Sequence, residues 1–163
     1  MKPLHRNVFA ACLVLLLGCQ QQQRAVTEAE KEAIKKEITG QFNQLASTLS
    51  QMDAGAWSEY YSKGGFVSAI VSTDYYAKRS AWVDLITRYF SMRERQHVEP
   101  LEVRVTALTP SLALMTSEEK SEMWLKNGQY FKSKHVFTMI WKKEQGGWKI
   151  LHSHESWMDE QVK

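Results

Sequence analysis

The chain has 163 residues, enough for one domain with its own core, and no compositional break argues for a second. Its 21 basic and 18 acidic residues are dispersed rather than gathered into a patch, which argues against a nucleic-acid partner. Two cysteines, Cys12 and Cys19, are too few for a disulfide scaffold or a cysteine-based metal site.

At the start, Lys2 and Arg6 precede the apolar run Val8 to Leu17, the charged and hydrophobic regions of an export signal. Ten apolar residues are too few to span a bilayer, which takes about 20 in a helix. The run ends Leu16-Leu17-Gly18-Cys19, which resembles the bacterial lipobox. That resemblance implies removal of residues 1–18, with Cys19 acylated as the first mature residue. Gln20 stands where an Asp is associated with inner-membrane retention. The expected location is therefore the bacterial cell envelope, lipid-anchored on the periplasmic face of the outer membrane. The mature chain would carry no free thiol. Without Lys2 and Arg6, 19 basic side chains face 18 acidic ones, so the formal balance falls from +3 to +1.

Residues 19–26 read as a polar tether and residues 27–163 as the domain. Thr27-Glu28-Ala29-Glu30 fits a capping box, and Ile34, Ile38, Phe42, Leu45, Leu49 and Met52 then form one helical stripe. Asp53 is placed to cap a shorter helix carrying Trp57, Tyr60 and Tyr61. Phe66 to Ser72 reads as a strand and Thr73 to Tyr76 as a polar turn. A third helix is expected from about Ser80 to Arg95, burying Trp82, Leu85, Ile86, Tyr89 and Phe90. From Pro100 the chain reads as four strands, Leu101–Leu108, Leu112–Leu125, Tyr130–Glu144 and Trp148–Trp157. In the second of them, either Glu118 or Glu119 must face inward, and a one-residue slip exchanges them.

The last two strands carry most of the chemistry. Alternation puts His135, Phe137, Met139 and Trp141 on one side of the first, and Trp148, Ile150, His152, His154 and Ser156 on one side of the second. Pairing Lys143 with Trp148 sets Trp141 opposite Ile150, Met139 opposite His152, and Phe137 opposite His154. Three imidazoles among large apolar groups describe a pocket wall more readily than a packing surface.

The element order, together with Thr138-x-Ile140-Trp141, Gly147-Trp148 and His152-x-His154-x-Ser156, resembles the nuclear transport factor 2-like superfamily. The likeness is to its SnoaL-like group, near the association-domain branch. It implies an α+β cone, a curved antiparallel sheet with three helices packed on its concave side, commonly dimeric through the sheet. Met139 stands where some association domains have a cavity Arg, which makes this pocket more apolar. No residue matches the catalytic Asp of the isomerases in that group, although Asp74 lies in a loop of the right region.

The catalytic candidates are therefore His152, His154, His135 and Asp74. An unperturbed imidazole titrates near pH 6.5, about right for a proton carrier at neutral pH. The bland alternative is that these rings only hydrogen-bond their neighbours. Candidate ligand contacts are Tyr61, Tyr89, Trp141, Met139, Phe137, His152 and His154. His-x-His with His135 diagonal to it could offer three nitrogens to zinc, but the pattern fixes no acidic ligand, and neither metal nor other cofactor is expected.

Two functional readings follow. In one, an envelope lipoprotein binds a small, partly apolar molecule in its cone, with isomerase- or cyclase-type proton transfer by a histidine base and a Tyr hydroxyl steadying the enolate. In the other, the domain is a non-catalytic module that dimerises or docks a partner over a vestigial cavity.

Overall fold

The computed structural model describes residues 24–162, so the expected signal, Cys19 and the first part of the tether lie outside the described residues. The first helix, α1 (Glu28–Gln51), starts at the expected box. Thr27 Oγ1 accepts from the Glu30 amide at 3.3 Å, and Glu30 Oε2 accepts from the Thr27 amide at 2.9 Å. That amide, followed by the Arg24 guanidinium, holds the Glu30 carboxyl down at about 2. Ile34, Ile38, Phe42 and Leu45 are buried along the expected stripe, while Leu49 and Met52 pack at its margin. Met52 closes the helix in a left-handed conformation, and Asp53 caps α2 (Ala54–Ser58) by accepting from the Ala56 amide at 2.9 Å.

A short hairpin follows, β1 (Ser68–Val71) and β2 (Asp74–Tyr76), joined through Ser72 at φ 54°. The segment expected as a polar turn thus contains a strand. Next come α3 (Arg79–Met92), β3 (Arg93–Thr109), β4 (Leu112–Leu125), β5 (Tyr130–Glu144) and β6 (Gly147–Val162). The third helix ends three residues before the expected Arg95, and β3 begins at once. Pro100 lies inside β3, which it can do because β3 is an edge strand and its ladder is irregular between Pro100 and Glu102.

The six strands form one curved sheet in the order β2-β1-β6-β5-β4-β3, with β1 parallel to β6 and the other neighbours antiparallel. Helices cover its inner face, and the α+β cone is the expected architecture. At the end near the β5–β6 turn the cone is filled. Trp141, Trp148 and Ile150 are fully or almost fully buried there, and Trp148 Nε1 donates to Glu37 Oε2 at 2.7 Å.

Lys143 pairs with Trp148 and Trp141 with Ile150, as the alternation predicts, but Ile140 pairs with His152. Leu151 has no partner on β5, so β6 carries a bulge there and its faces exchange. Its carbonyl instead accepts from the Val67 amide at 2.7 Å, where the chain enters β1. Beyond the bulge Met139 faces Ser153, Phe137 faces Glu155 and His135 faces Trp157. The expected pairs Met139–His152 and Phe137–His154 do not form.

Ile38 is fully buried in the middle of α1. Ile38→Ala should cost about 2–5 kcal/mol, read as a lower denaturation midpoint at unchanged slope. The exposed Lys36→Ala should stay within about 0.5 kcal/mol of the parent.

Candidate functional site

Between the sheet and the helices lies a cavity of about 300 Å³. Its apolar wall comes from Phe42 and Leu45 of α1, Trp57, Tyr61, the α3 residues Trp82 and Ile86, and Phe137 and Met139 of β5. A polar side is built by inward positions of the sheet: Arg93 and Gln96 on β3, Glu119 and Ser121 on β4, His135 on β5, and Glu155 and Asp159 on β6. Met92 and Asp159, both exposed, stand where the cavity meets solvent.

His135 is the hub of the polar side. Its Nδ1 lies 2.8 Å from Glu155 Oε1 and its Nε2 lies 2.8 Å from Ser121 Oγ. A carboxylate only accepts, so Nδ1 carries the hydrogen shared with Glu155. Nε2 is then left to take the Ser121 hydroxyl proton, the tautomer that suits a base facing the cavity. Phe137 stacks on the imidazole at 6.0 Å between centroids, and Trp157 lies at 6.0 Å on another side. Strand geometry explains the cluster. His135 and Glu155 are diagonal neighbours on β5 and β6, and Ser121 is diagonal to His135 on β4.

Glu119 sits directly across the β4–β5 ladder from His135 and is 2 % exposed. Burial, reinforced by the Glu155 carboxylate, pushes its carboxyl up to about 8. At neutral pH it is therefore mostly an uncharged acid, able to donate a hydrogen bond. Arg93 is largely buried, and that burial pulls its guanidinium below its usual range. It donates to Gln96 Oε1 and packs over Tyr89 at 5.5 Å, and it makes no ion pair among the described residues.

Tyr61, Tyr89, Phe137 and Met139 line the cavity. Tyr61 donates to Ser153 Oγ at 3.2 Å, and burial raises its phenol well above the usual range. Trp141 points inward yet lies outside the cavity wall, fully buried in the closed end. His152 and His154 are corrections: the bulge at Leu151 turns both to the outer face. His152 is held there by Ser68 Oγ at 2.8 Å, and His154 is exposed. Asp74 is exposed on β2 and does not line the cavity. The three histidines thus do not converge, and among the described residues no cluster of His, Cys, Asp or Glu could hold a metal ion. Of the two open alternatives on β4, Glu119 faces inward, while Glu118 pairs with Lys134 at 3.1 Å on the outer face.

Residues 38–160 match the model of the SnoaL-like domain. The chain belongs to the SnoaL-like family. No curated protein sequence matches it. Among solved structures, this SnoaL-like chain is similar to a candidate scytalone dehydratase from Novosphingobium aromaticivorans, with TM-score 0.75 and 8% identity over 84% of this chain and 94% of that one. It is similar to the hexachlorocyclohexane dehydrochlorinase LinA-type3 from Novosphingobium barchaimii, with TM-score 0.71 and 11% identity over 83% and 94% of the two chains. It is also similar to a candidate calcium/calmodulin-dependent protein kinase II association domain from Xanthomonas campestris, with TM-score 0.66 and 17% identity over 83% and 94%. At these identities the likeness is one of fold.

Glu119 gives the SnoaL-like domain a pH signature. In the unfolded chain a glutamate titrates near pH 4.3, so between about pH 4 and 8 the folded state keeps a proton that the unfolded state has lost. Stability should fall as pH rises through that window and level off above it. Glu119→Gln should remove the decline, raising the melting temperature at pH 8 by about 5–10 °C and leaving it unchanged near pH 4. Equal melting of the two proteins at pH 8 would contradict a buried, uncharged Glu119.

Proposed function

We propose that this is a lipid-anchored envelope protein whose SnoaL-like cone binds a small, partly apolar molecule and moves a proton on it through His135. The observation that carries the reading is the Glu155–His135–Ser121 chain of hydrogen bonds on the wall of an otherwise aromatic cavity. An apolar enclosure with a few convergent polar groups suits a flat ligand of metabolite size. Attachment through Cys19, on the periplasmic face of the outer membrane, belongs to the same proposal and rests on the spacing of Leu16-Leu17-Gly18-Cys19. Among the described residues no helix is long and apolar enough to cross a membrane.

The chemistry follows from the groups in place. His135 Nε2 takes a proton from a carbon next to a carbonyl, while Glu155 holds Nδ1–H and stabilises the imidazolium that forms. The developing enolate needs a donor that is not itself charged away, and Glu119, uncharged at neutral pH, stands across from the base. The Tyr61 hydroxyl donates to Ser153, which leaves Glu119 as the donor directly across from the base. The dehydratase and dehydrochlorinase named for the similar folds lend support, since both names describe eliminations, in which a base commonly removes a proton from carbon.

The interaction-module reading predicts a filled cone and an apolar outer sheet. Here the cone is open, and the outer face carries ion pairs such as Lys134–Glu118 at 3.1 Å and Lys132–Glu122 at 3.8 Å. Homodimerisation through the sheet is compatible with the pocket reading and stays part of the proposal.

Native mass spectrometry of the full protein, purified in mild detergent from its own cells, should show a retained small molecule. Incubation in D₂O should place deuterium on that ligand. His135→Gln should abolish the deuterium uptake, whereas His154→Ala, altered on the outer face, should leave retention and uptake as in the parent. A ligand that exchanges equally well on His135→Gln, or that His154→Ala releases, would overturn the assignment.

A further inference from the structure

We infer that Ser121, His135 and Glu155 also form a serine nucleophile with its proton relay, giving the cone an acyl-transfer activity toward small, partly apolar esters. The geometry is that of a serine–histidine–acid constellation. Ser121 Oγ lies 2.8 Å from Nε2 of the imidazole, and Glu155 Oε1 lies 2.8 Å from Nδ1. Each ring nitrogen has the partner such a relay requires, with the acid on Nδ1 and the hydroxyl on Nε2. Such arrangements are recognised by geometry rather than by chain order, and here three adjacent strands supply one member each.

The surroundings suit the step. Ser121 is buried from bulk water but lines the cavity, so an ester carbonyl lying there meets the hydroxyl directly. Two donors border the same space and could receive the oxyanion, the Glu119 carboxylic acid and the Arg93 guanidinium. A space of about 300 Å³ admits short acyl chains or a single aromatic ring.

In the first half-reaction a bond forms from Ser121 Oγ to the carbonyl carbon while the hydroxyl proton passes to Nε2. Glu155 stabilises the imidazolium. Collapse of the tetrahedral adduct breaks the bond to the leaving alkoxide, which takes the proton from Nε2 and departs as the alcohol. Water then attacks the acyl-serine, gives its proton to Nε2, and releases the carboxylic acid as the serine is restored. The balance is ester plus water to acid plus alcohol. No oxidant, metal or further co-reactant enters.

This inference shares His135 and Glu155 with the proposed proton transfer but needs no abstraction from carbon, so the two fail separately. The full protein in mild detergent is treated with diisopropyl fluorophosphate and mapped by peptide mass, and p-nitrophenyl acetate is followed for a burst of nitrophenol. A stoichiometric adduct on Ser121 and a burst of matching size are expected. Ser121→Ala should lose both, and Glu155→Gln and His135→Gln should slow labelling about 10³-fold or more. The parent protein alone decides the matter if variants fold poorly, because absence of an adduct on Ser121 at saturating probe overturns the inference. A burst that persists in Ser121→Ala overturns it too. Deuterium uptake by the retained ligand that survives Ser121→Ala would show that the proton-transfer reading stands independently.

Discussion

Leu151 is one residue more than β5 has places for, and that excess decides which side chains β6 turns toward the hollow of the cone. Side chains on a strand alternate, so a single unpaired residue exchanges everything beyond it. Before the bulge, Trp148 and Ile150 pack inward and close one end of the cone. After it, Ser153, Glu155, Trp157 and Asp159 take the inward places, and His152, His154 and Ser156 face out. The bulge is held by the segment that leads into β1. Ile150 exchanges hydrogen bonds with Tyr60 and Ser62, at 2.8 and 2.9 Å, and the Leu151 carbonyl accepts from Val67. Without that shift His135 would have no carboxylate, and Tyr61 would lose Ser153.

The two ends of the cone divide the work between them. The closed end supplies burial, with Trp141 and Trp148 enclosed and Glu37 of α1 bonded to the Trp148 indole, and burial of this kind stabilises the fold by roughly 25 cal/mol for each Å² of apolar surface removed from water. The open end gives some of that back. It keeps an uncharged Glu119 near Glu155 and a largely buried guanidinium that makes no direct ion pair among the described residues, arrangements that cost stability and that persist where they have a use. A hydrogen-bonded imidazole at the centre of such a group is held in one orientation before any ligand arrives. That preorganisation is what both proton transfer and acyl transfer draw on.

Much of this was legible in the residues. The capping box at Thr27, the stripe of α1, the cap at Asp53 and the Lys143–Trp148 register all follow from local rules with short reach, and the helices and the β5–β6 turn appear where those rules put them. The inward face of β5 was equally plain, because it alternates without interruption from His135 to Trp141. The polar side of the cavity was not. Period-two alternation fails silently at a bulge, and the one hint was the adjacent pair Ile150-Leu151, two apolar residues where alternation allows one. Glu119 was hidden by parity within a charged run that reads equally well in either register. Arg93 and Gln96 were hidden by the end of α3, whose helical period continues plausibly to Arg95 although the backbone has already turned into β3.

The central claim is therefore the parity of β6 beyond Leu151, and cysteine accessibility tests it without reference to any ligand. Single cysteines placed at Ser153, His154, Glu155 and Ser156 would be treated with a bulky maleimide under native conditions and the products mapped by peptide mass. The account predicts fast modification at positions 154 and 156 and protection at 153 and 155. Fast modification at 153 and 155, with 154 and 156 protected, would mean that no bulge exists and that the histidines of β6, rather than Glu155, face the cavity.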